Sequence, residues 1–312
     1  MPDKQVIKIG YLKITDHLIL GVTQDKLKKN EENFKYCSLE PVLKTGWNEV
    51  ADALTEGSID GAFVLAPTAM DLFKSGVGIK LVLFSHKSGS ILVINKAANI
   101  NKIEDFRGKV VLIPYQLSVH NMLFHRLLAE KGLSPGTSKD KNADVFLEVV
   151  APIMMPEAIA YDEDGEIAGF IVAEPFGSQA IAGGYGQEFC LSKDVWADHP
   201  CCVFVVRDEI IMKYPDSIHE LVESFVQSGI FVEANPSAAA VIGASFLDQE
   251  VAVVEHVLTE PKDRITTGKL FPVIEDLAII QDYMHDDMKI MKSKINLEKF
   301  IDTRFAKAAK AK

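Results

Sequence analysis

Two stretches of this chain repeat one another at a spacing of 108 residues, and no other feature of the sequence constrains the fold as strongly. The stretches begin at Trp47 and Met155. Each shows helical apolar spacing, a glycine, a short apolar run and then a proline suited to the first turn of a helix. Identical residues occupy seven equivalent positions: Glu49/Glu157, Gly57/Gly165, Ile59/Ile167, Gly61/Gly169, Pro67/Pro175, Gly76/Gly184 and Gly78/Gly186. Each copy therefore predicts a helix, a strand and a helix, which is the pattern of a parallel sheet covered by helices.

A second repeat precedes the first and places two histidines at equivalent positions. Residues 6–12 predict a strand and His17 lies at the start of a predicted helix, while residues 109–113 and His120 repeat this arrangement about a hundred residues later. Ser118 is a suitable N-cap for the second of these helices. The start of a helix offers free backbone N–H groups and a positive dipole end, so both places suit a small anion or polar ligand.

The repeats predict two α/β lobes with a cleft between them. From Asp208 onward the pattern is helical without a further strand, and we expect this region to pack on the first lobe. The predicted lobes are residues 1–95 with 206–312 (lobe I) and residues 96–205 (lobe II). Because ligands of such sheets bind beyond the carboxyl ends of the strands, the cleft is the predicted site.

The loops that follow the predicted strands carry hydroxyl, amide and imidazole groups with one carboxylate, which suit hydrogen bonding to a small polar molecule. Structural roles remain open for several of them: Ser118 and His120 can act in helix capping, and Glu174 can be an N-cap. Glu174 would also repel an anion unless it is protonated or bridged by a cation. We interpret His86 and His199 as turn residues. The candidate ligand-binding residues are His17, Thr68, Tyr115, Gln116, Ser118, His120 and Glu174.

The composition and the motifs exclude several classes of function. A net charge of −11 argues against nucleic acid as a partner and against binding to an anionic membrane surface. Four cysteines, Cys37, Cys190, Cys201 and Cys202, lack C-x-x-C spacing, so we predict no metal site and interpret them as small buried side chains. No G-x-S-x-G, H-E-x-x-H or Walker A motif occurs, and no G-x-G-x-x-G follows a strand; we therefore predict no catalytic residues and no cofactor.

The start of the chain leaves its compartment open. The first ten residues lack the apolar core of a signal peptide, and no apolar run has the length of a membrane span. Either the protein is cytosolic, or a leader has been removed ahead of this sequence.

Five segments resemble the solute-binding proteins of ABC importers, in the group that includes nitrate-, bicarbonate-, sulfonate-, taurine- and thiamine-precursor-binding proteins. The similarity is greatest to the nitrate and bicarbonate branch. The segments are GYLKITDHLIL from Gly10, GSIDGAFVLAPTAMDLFKSG from Gly57, IPYQLSVHNMLFHRLLAEKGL from Ile113, IVAEPFGSQAI from Ile171 and HPCCVFVVRDEIIMKYPD from His199. The resemblance implies a type II periplasmic-binding fold: two Rossmann-like lobes, a two-segment hinge and a helical C-terminal region. In members of this group the cleft is lined at the positions of His17, Pro67, Thr68, Gln116, His120, Pro156 and Glu174.

The resemblance also implies a function. We expect a non-enzymatic, monomeric receptor that closes around a small-molecule solute, either an oxyanion such as nitrate or bicarbonate or a sulfonate such as taurine. Its partner would be an ABC permease in the membrane, and its location periplasmic or lipid-anchored outside the cytoplasm, with the leader absent from this chain. Two alternatives remain: a cytosolic enzyme on the same fold, similar to menaquinone-pathway enzymes or to thiamine pyrimidine synthase, or a sensory ligand-binding domain. The sequence does not identify the solute or show whether calcium assists its binding.

Overall fold

The structure is a computed structural model that describes residues 4–312. Its strands are β1 (Gln5–Tyr11), β2 (Cys37–Leu43), β3 (Gly61–Leu65), β4 (Ile79–Phe84), β5 (Lys87–Ser88), β6 (Ser90–Asn95), β7 (Val110–Ile113), β8 (Pro135–Gly136), β9 (Val145–Val149), β10 (Ile167–Ala173), β11 (Gly186–Leu191), β12 (Cys202–Arg207) and β13 (Ile265–Thr266). Its α-helices are α1 (Leu18–Lys28), α2 (Trp47–Glu56), α3 (Ala66–Lys74), α4 (Val119–Ala129), α5 (Met155–Ala160), α6 (Phe176–Ala182), α7 (Ser192–Val195), α8 (Asp208–Lys213), α9 (Pro215–Ala234), α10 (Pro236–Leu247), α11 (Val251–Thr259), α12 (Ile274–Asp282), α13 (Leu297–Phe300) and α14 (Arg304–Ala308).

The strands form two main sheets, one in each lobe. The first sheet has the order β2-β1-β3-β12-β4 and the second the order β11-β6-β10-β7-β9-β8. Neighbouring strands are parallel except around β12 in the first sheet and β6 in the second, which run antiparallel to both of their neighbours. The two repeat copies supply α2-β3-α3 to the first lobe and α5-β10-α6 to the second, as the repeat predicts.

The two crossings between the sheets differ from the predicted lobe boundaries. The first crossing lies between β4 and β6, at residues 85–89, so β6 belongs to the second sheet although residues up to 95 were assigned to lobe I. The second crossing precedes β12, so the predicted boundary at residue 205 cuts a strand of the first sheet. Both strands are buried over nearly their whole length. A continuous apolar run of this kind does not reveal which sheet it enters.

Local signals in the sequence set the ends of the elements that face the cleft. Gly57 ends α2 with a φ of 74°, in the left-handed region that glycine adopts without strain. Pro67 occupies the first turn of α3. The Ser118 hydroxyl accepts a hydrogen bond of 3.1 Å from the backbone N–H of Asn121 and caps α4, which confirms the predicted N-cap.

The C-terminal region packs mainly on the first lobe but is not purely helical. Helix α9 packs on α1, while α13 and α14 pack on β4. The two-residue strand β13 pairs with β5, inside the first crossing, so the expectation of no strand after Asp208 is wrong at this point. Two residues are too short to leave an alternating pattern in the sequence. Among residues 4–312 no single helix has the length and apolar character of a membrane span, although α9 and α10 meet those criteria jointly, across a bend of 119°.

Candidate ligand-binding site

The two lobes touch each other directly on the cleft side of their sheets. Thr15, just after β1, donates both its backbone N–H and its hydroxyl to the carbonyl oxygen of Glu174, just after β10, at 2.7 and 2.9 Å. The Thr68 hydroxyl in α3 donates to the carbonyl oxygen of Leu117, before α4, at 2.8 Å. These bonds join opposite walls of the cleft, so the structure shows a closed arrangement.

Four chemically reactive side chains meet where the lobes join. Asp16 follows β1, His86 lies in the first crossing, and Cys201 and Cys202 stand at the start of β12. All four side chains are fully buried. One ligand-type atom from each, a carboxylate oxygen, an imidazole nitrogen or a thiol sulfur, lies within 4.8 Å of the other three. We call this set the Asp-His-Cys-Cys cluster.

Within the cluster the polar contacts are close but incomplete. Oδ2 of Asp16 lies 2.9 Å from Nε2 of His86 and 3.6 Å from the Cys202 sulfur. The backbone N–H of Cys202 points at the same His86 nitrogen, at 3.2 Å. When Asp16 is ionised, Nε2 of His86 cannot both donate to the carboxylate and accept from the N–H, so one of these two contacts is then unfavourable.

The second lobe covers the cluster with His120. Nε2 of His120 lies 2.9 Å from the hydroxyl oxygen of Ser90 and 4.0 Å from the sulfur of Cys201. Several buried polar atoms around this point find no hydrogen-bond partner within the described part of the chain: Asp16 Oδ1, His17 Nε2, His86 Nδ1, His120 Nδ1 and His199 Nε2. Buried polar groups are costly when unpaired, so their concentration in one place marks this junction as a candidate ligand-binding site.

Burial and neighbouring charges change the pKa values of these groups strongly. Burial alone would lower the pKa of His86, but the charge of Asp16 and its hydrogen bond raise it to about 10. Burial lowers the pKa of His17 to about 3 and that of His199 to about 4, so both imidazoles stay neutral at pH 7. A hydrogen bond from Cys202 lowers the pKa of the Cys201 thiol, and the nearby His120 lowers it further. These two effects outweigh burial, so the pKa lies well below the ordinary value of a thiol.

The predicted site residues fall into three groups. His17, Ser118 and His120 are buried, and His17 and His120 each leave a ring nitrogen unpaired. Thr68 bonds across the cleft, as described above. Tyr115 is half-buried and Gln116 is exposed.

Glu174 has a different environment. Its carboxylate accepts from the backbone N–H and the hydroxyl of Ser178, both at 2.9 Å, and from the Arg264 guanidinium at 3.0 Å. Both partners of this ion pair are buried. Arg264 thus supplies the compensating cation that a buried carboxylate requires, and it lies ninety residues further along the chain.

The residues of the cluster were not among the predicted ligand contacts. Asp16 is adjacent to the predicted His17, and His86 was interpreted as a turn residue. The cysteines are buried, as predicted, but they lie against polar groups. The sequence did contain a signal for these residues. His86 lies in one of the two segments that cross between the lobes, and Cys201 and Cys202 lie at the end of the other, so the hinge brings them together.

A small cavity of about 100 Å³ lies between the lobes. Its lining from the first lobe includes Lys13 and Lys44, and its lining from the second includes Pro152 and Phe176. The lining is mostly apolar, and the ammonium group of Lys13 pairs with the carboxylate of Asp248 at 3.3 Å.

Comparisons with known proteins place this geometry in a family. The model of the NMT1-like family matches residues 1–245. The chain belongs to the NMT1-like family. Among solved structures, the zinc-bound ligand-binding component of an ABC-type import system from Staphylococcus aureus has a TM-score of 0.86 at 26% identity, with 98% of this chain and 99% of that chain covered. The periplasmic nitrate-binding protein NrtA from Synechocystis has a TM-score of 0.84 at 16% identity, covering 99% and 89%. These findings confirm the predicted resemblance and the two-lobed periplasmic-binding fold.

A curated relative shows the same similarity in sequence. The chain is 28% identical over 238 residues to the nitrate import ATP-binding protein NrtC from Synechocystis. The match covers 72% of this chain and 35% of NrtC, so the chain spans about a third of that relative's length.

Proposed function

We propose that this protein is the solute-binding receptor of an ABC importer and that it captures one small ligand between its two lobes. The observation that carries the proposal is the group of fully buried, unpaired polar atoms where the lobes meet, on a fold shared with importer binding components. When the lobes close over such atoms without a ligand, the atoms lose their hydration and gain no hydrogen-bond partner. A ligand that pairs them therefore favours the closed state by its differential affinity.

Closure would occur about the two crossings. The bonds from Thr15 to Glu174 and from Thr68 to Leu117 form only when the lobes meet, so they contribute to the closed state alone. A membrane permease that recognises the closed receptor would then accept the ligand. We further propose that the receptor acts as a monomer, is periplasmic or lipid-anchored outside the cytoplasm, and does not transform its ligand.

The relatives support two classes of solute. Nitrate is named in NrtA and NrtC, which supports an oxyanion such as nitrate, bicarbonate or a sulfonate. Zinc is present in the Staphylococcus aureus structure. Both classes therefore belong in the binding experiment.

A cysteine-dependent enzyme on the same fold is the second candidate. Cys201, with its lowered pKa, faces His120 and would be the nucleophile beside a base. The Cys201 sulfur and the His120 Nε2 atom lie 4.0 Å apart. This distance is longer than the usual reach of a general base, although hydrogen bonds that involve sulfur are longer than those between oxygen and nitrogen.

The test is a thermal-shift panel of nitrate, bicarbonate with and without calcium, taurine, alkanesulfonates, thiamine precursors and zinc, followed by small-angle X-ray scattering with each ligand that stabilises the protein. A ligand at a hundredfold its Kd adds about 2.7 kcal/mol to the free energy of unfolding. A receptor should bind one class, contract on binding and release the ligand unchanged. Chemical conversion of the ligand, with loss of turnover in Cys201→Ser, would instead establish the enzyme.

A further inference from the structure

We propose that the solute held at the lobe junction is a divalent transition-metal cation such as zinc, bound by Asp16, His86, Cys201 and Cys202. The inference rests on the proposed receptor function and specifies its ligand. The sequence alone did not suggest it, because the four residues come from three separate parts of the chain.

The atoms of the cluster have the composition and spacing of a tetrahedral site. Zinc binds thiolate sulfur at about 2.3 Å and imidazole nitrogen or carboxylate oxygen at about 2.0–2.2 Å, which places its ligand atoms roughly 3.3–3.8 Å from one another. In the structure, Asp16 Oδ2 lies 3.6 Å from the Cys202 sulfur and 2.9 Å from His86 Nε2. All four ligand atoms lie within 4.8 Å of one another, so side-chain movements that shorten the longer separations would complete the tetrahedron.

A cation would replace the proton that Asp16 and His86 share. A metal bound to Asp16 Oδ2 and His86 Nε2, which lie 2.9 Å apart, would be held by both groups, while the N–H of Cys202, 3.2 Å from that nitrogen, would need another acceptor. The metal would not pair Asp16 Oδ1 or His86 Nδ1 directly; these two atoms would need a bound water for the outer contacts that ligands of zinc commonly make. On binding, any proton still held by the two sulfur atoms or by His86 Nε2 passes to the buffer, and two thiolates with the Asp16 carboxylate carry the negative charge that holds the cation.

The charges at the junction disfavour an anion there. Asp16 and two ionisable thiols form the centre, and the nearby buried cation Arg264 is already paired with Glu174 and Glu188, at 3.0 and 2.7 Å. A nitrate or sulfonate at the centre would face the Asp16 carboxylate and two sulfur atoms, and His86 is the one strong donor that the cluster would offer it. The lysines of the interlobe cavity are not members of the cluster.

The position of the cluster suits a transported ion. Asp16 is on the first lobe, the other three ligands flank the two crossings, and His120 and Ser90 of the second lobe cover Cys201. Opening the lobes removes this cover and exposes the ligands, so binding and release are coupled to the hinge.

The experiment uses the full chain, reduced and treated with a chelator, and titrates it with cobalt(II) and zinc. Cobalt bound to thiolates gives an intense near-ultraviolet charge-transfer absorption. We expect one equivalent of metal, this absorption, and a contraction in small-angle X-ray scattering. Cys201→Ser and Cys202→Ser should remove the absorption and weaken zinc binding by at least about 100-fold, whereas the matched controls Cys37→Ser and Cys190→Ser should leave both unchanged.

The outcomes separate the metal from the receptor. If nitrate or a sulfonate stabilises and contracts the protein while metals do not, the inference is overturned and the receptor function stands. If zinc binds through the two cysteines without contraction and does not exchange, the ion is structural and the inference is again overturned. If no solute of either class binds, the receptor function itself falls. His86→Asn provides a ligand variant without a change in thiol content, and unchanged zinc affinity in it would also refute the proposed site.

Discussion

Removing the hydroxyl of Thr68 should shift the receptor towards its open state without unfolding either lobe. This hydroxyl donates to the carbonyl oxygen of Leu117 at 2.8 Å, across the cleft, and the bond is absent when the lobes separate. Thr68→Val keeps the side-chain shape and deletes one hydrogen bond, worth about 0.5–1.5 kcal/mol. The ratio of closed to open molecules should therefore fall by roughly 2- to 13-fold. Because the ligand binds productively to the closed state, its affinity should fall by the same factor.

The assay is isothermal titration calorimetry with zinc, nitrate and methanesulfonate, together with small-angle X-ray scattering of the free and loaded protein. Thr55→Val is the matched control, since the Thr55 hydroxyl donates to the carbonyl of Ala51 at 2.8 Å within one helix. It should leave the affinity for whichever ligand binds unchanged. The reasoning is refuted if Thr68→Val binds that ligand as tightly as the parent protein, or if both valine variants weaken binding equally.

Two further substitutions test an ion pair at the cleft and a close backbone contact within the second lobe. Arg264→Met leaves the buried carboxylate of Glu174 without its cation and should lower the free energy of unfolding, measured in urea, by about 3–5 kcal/mol. The double variant with Glu174→Gln should recover part of this loss. If the losses of the two single variants simply add, the pairing is contradicted. Gly165→Ala should cost about 1–2 kcal/mol for its φ of 66° and roughly 1–3 kcal/mol more because its Cβ would lie 2.5 Å from the carbonyl oxygen of Ala97. Gly184→Ala, with a φ of 84° and nothing within 4 Å among the described residues, should show only the first cost, and equal losses in both would contradict the predicted clash.

Sequence reasoning predicted the units of this fold better than their assembly. The repeat contains the local signals of two helix-strand-helix units, such as the glycine that ends α2 and the proline that starts α3, because these signals act within a few residues. The predicted lobe bounds placed β6 in lobe I and divided β12, since a strand buried on both faces has the same composition in either sheet.

The site was predictable only where its residues follow strands within one repeat. His17 and His120 were found in this way, and both are buried at the lobe junction. Asp16 follows the end of β1 and Cys202 begins β12, so more than half of the chain separates them. No spacing rule connects two residues so far apart in the sequence. Their contact depends on the second crossing, which brings β12 back into the first sheet beside β3.

The C-terminal region links the hinge, the closure contacts and the cluster into one network. Strand β13 pairs with β5 in the first crossing, and the carbonyl oxygen of Arg264 accepts from the N–H of Gly89 at 2.8 Å. The side chain of Arg264 extends from this anchored backbone to Glu174 in the second lobe. The backbone oxygen of Glu174 in turn accepts the bonds from Thr15, the residue before Asp16. A movement of the hinge would therefore act on the closure bonds and on Asp16 together. Binding of a solute at the cluster and closure of the lobes would then share one conformational equilibrium.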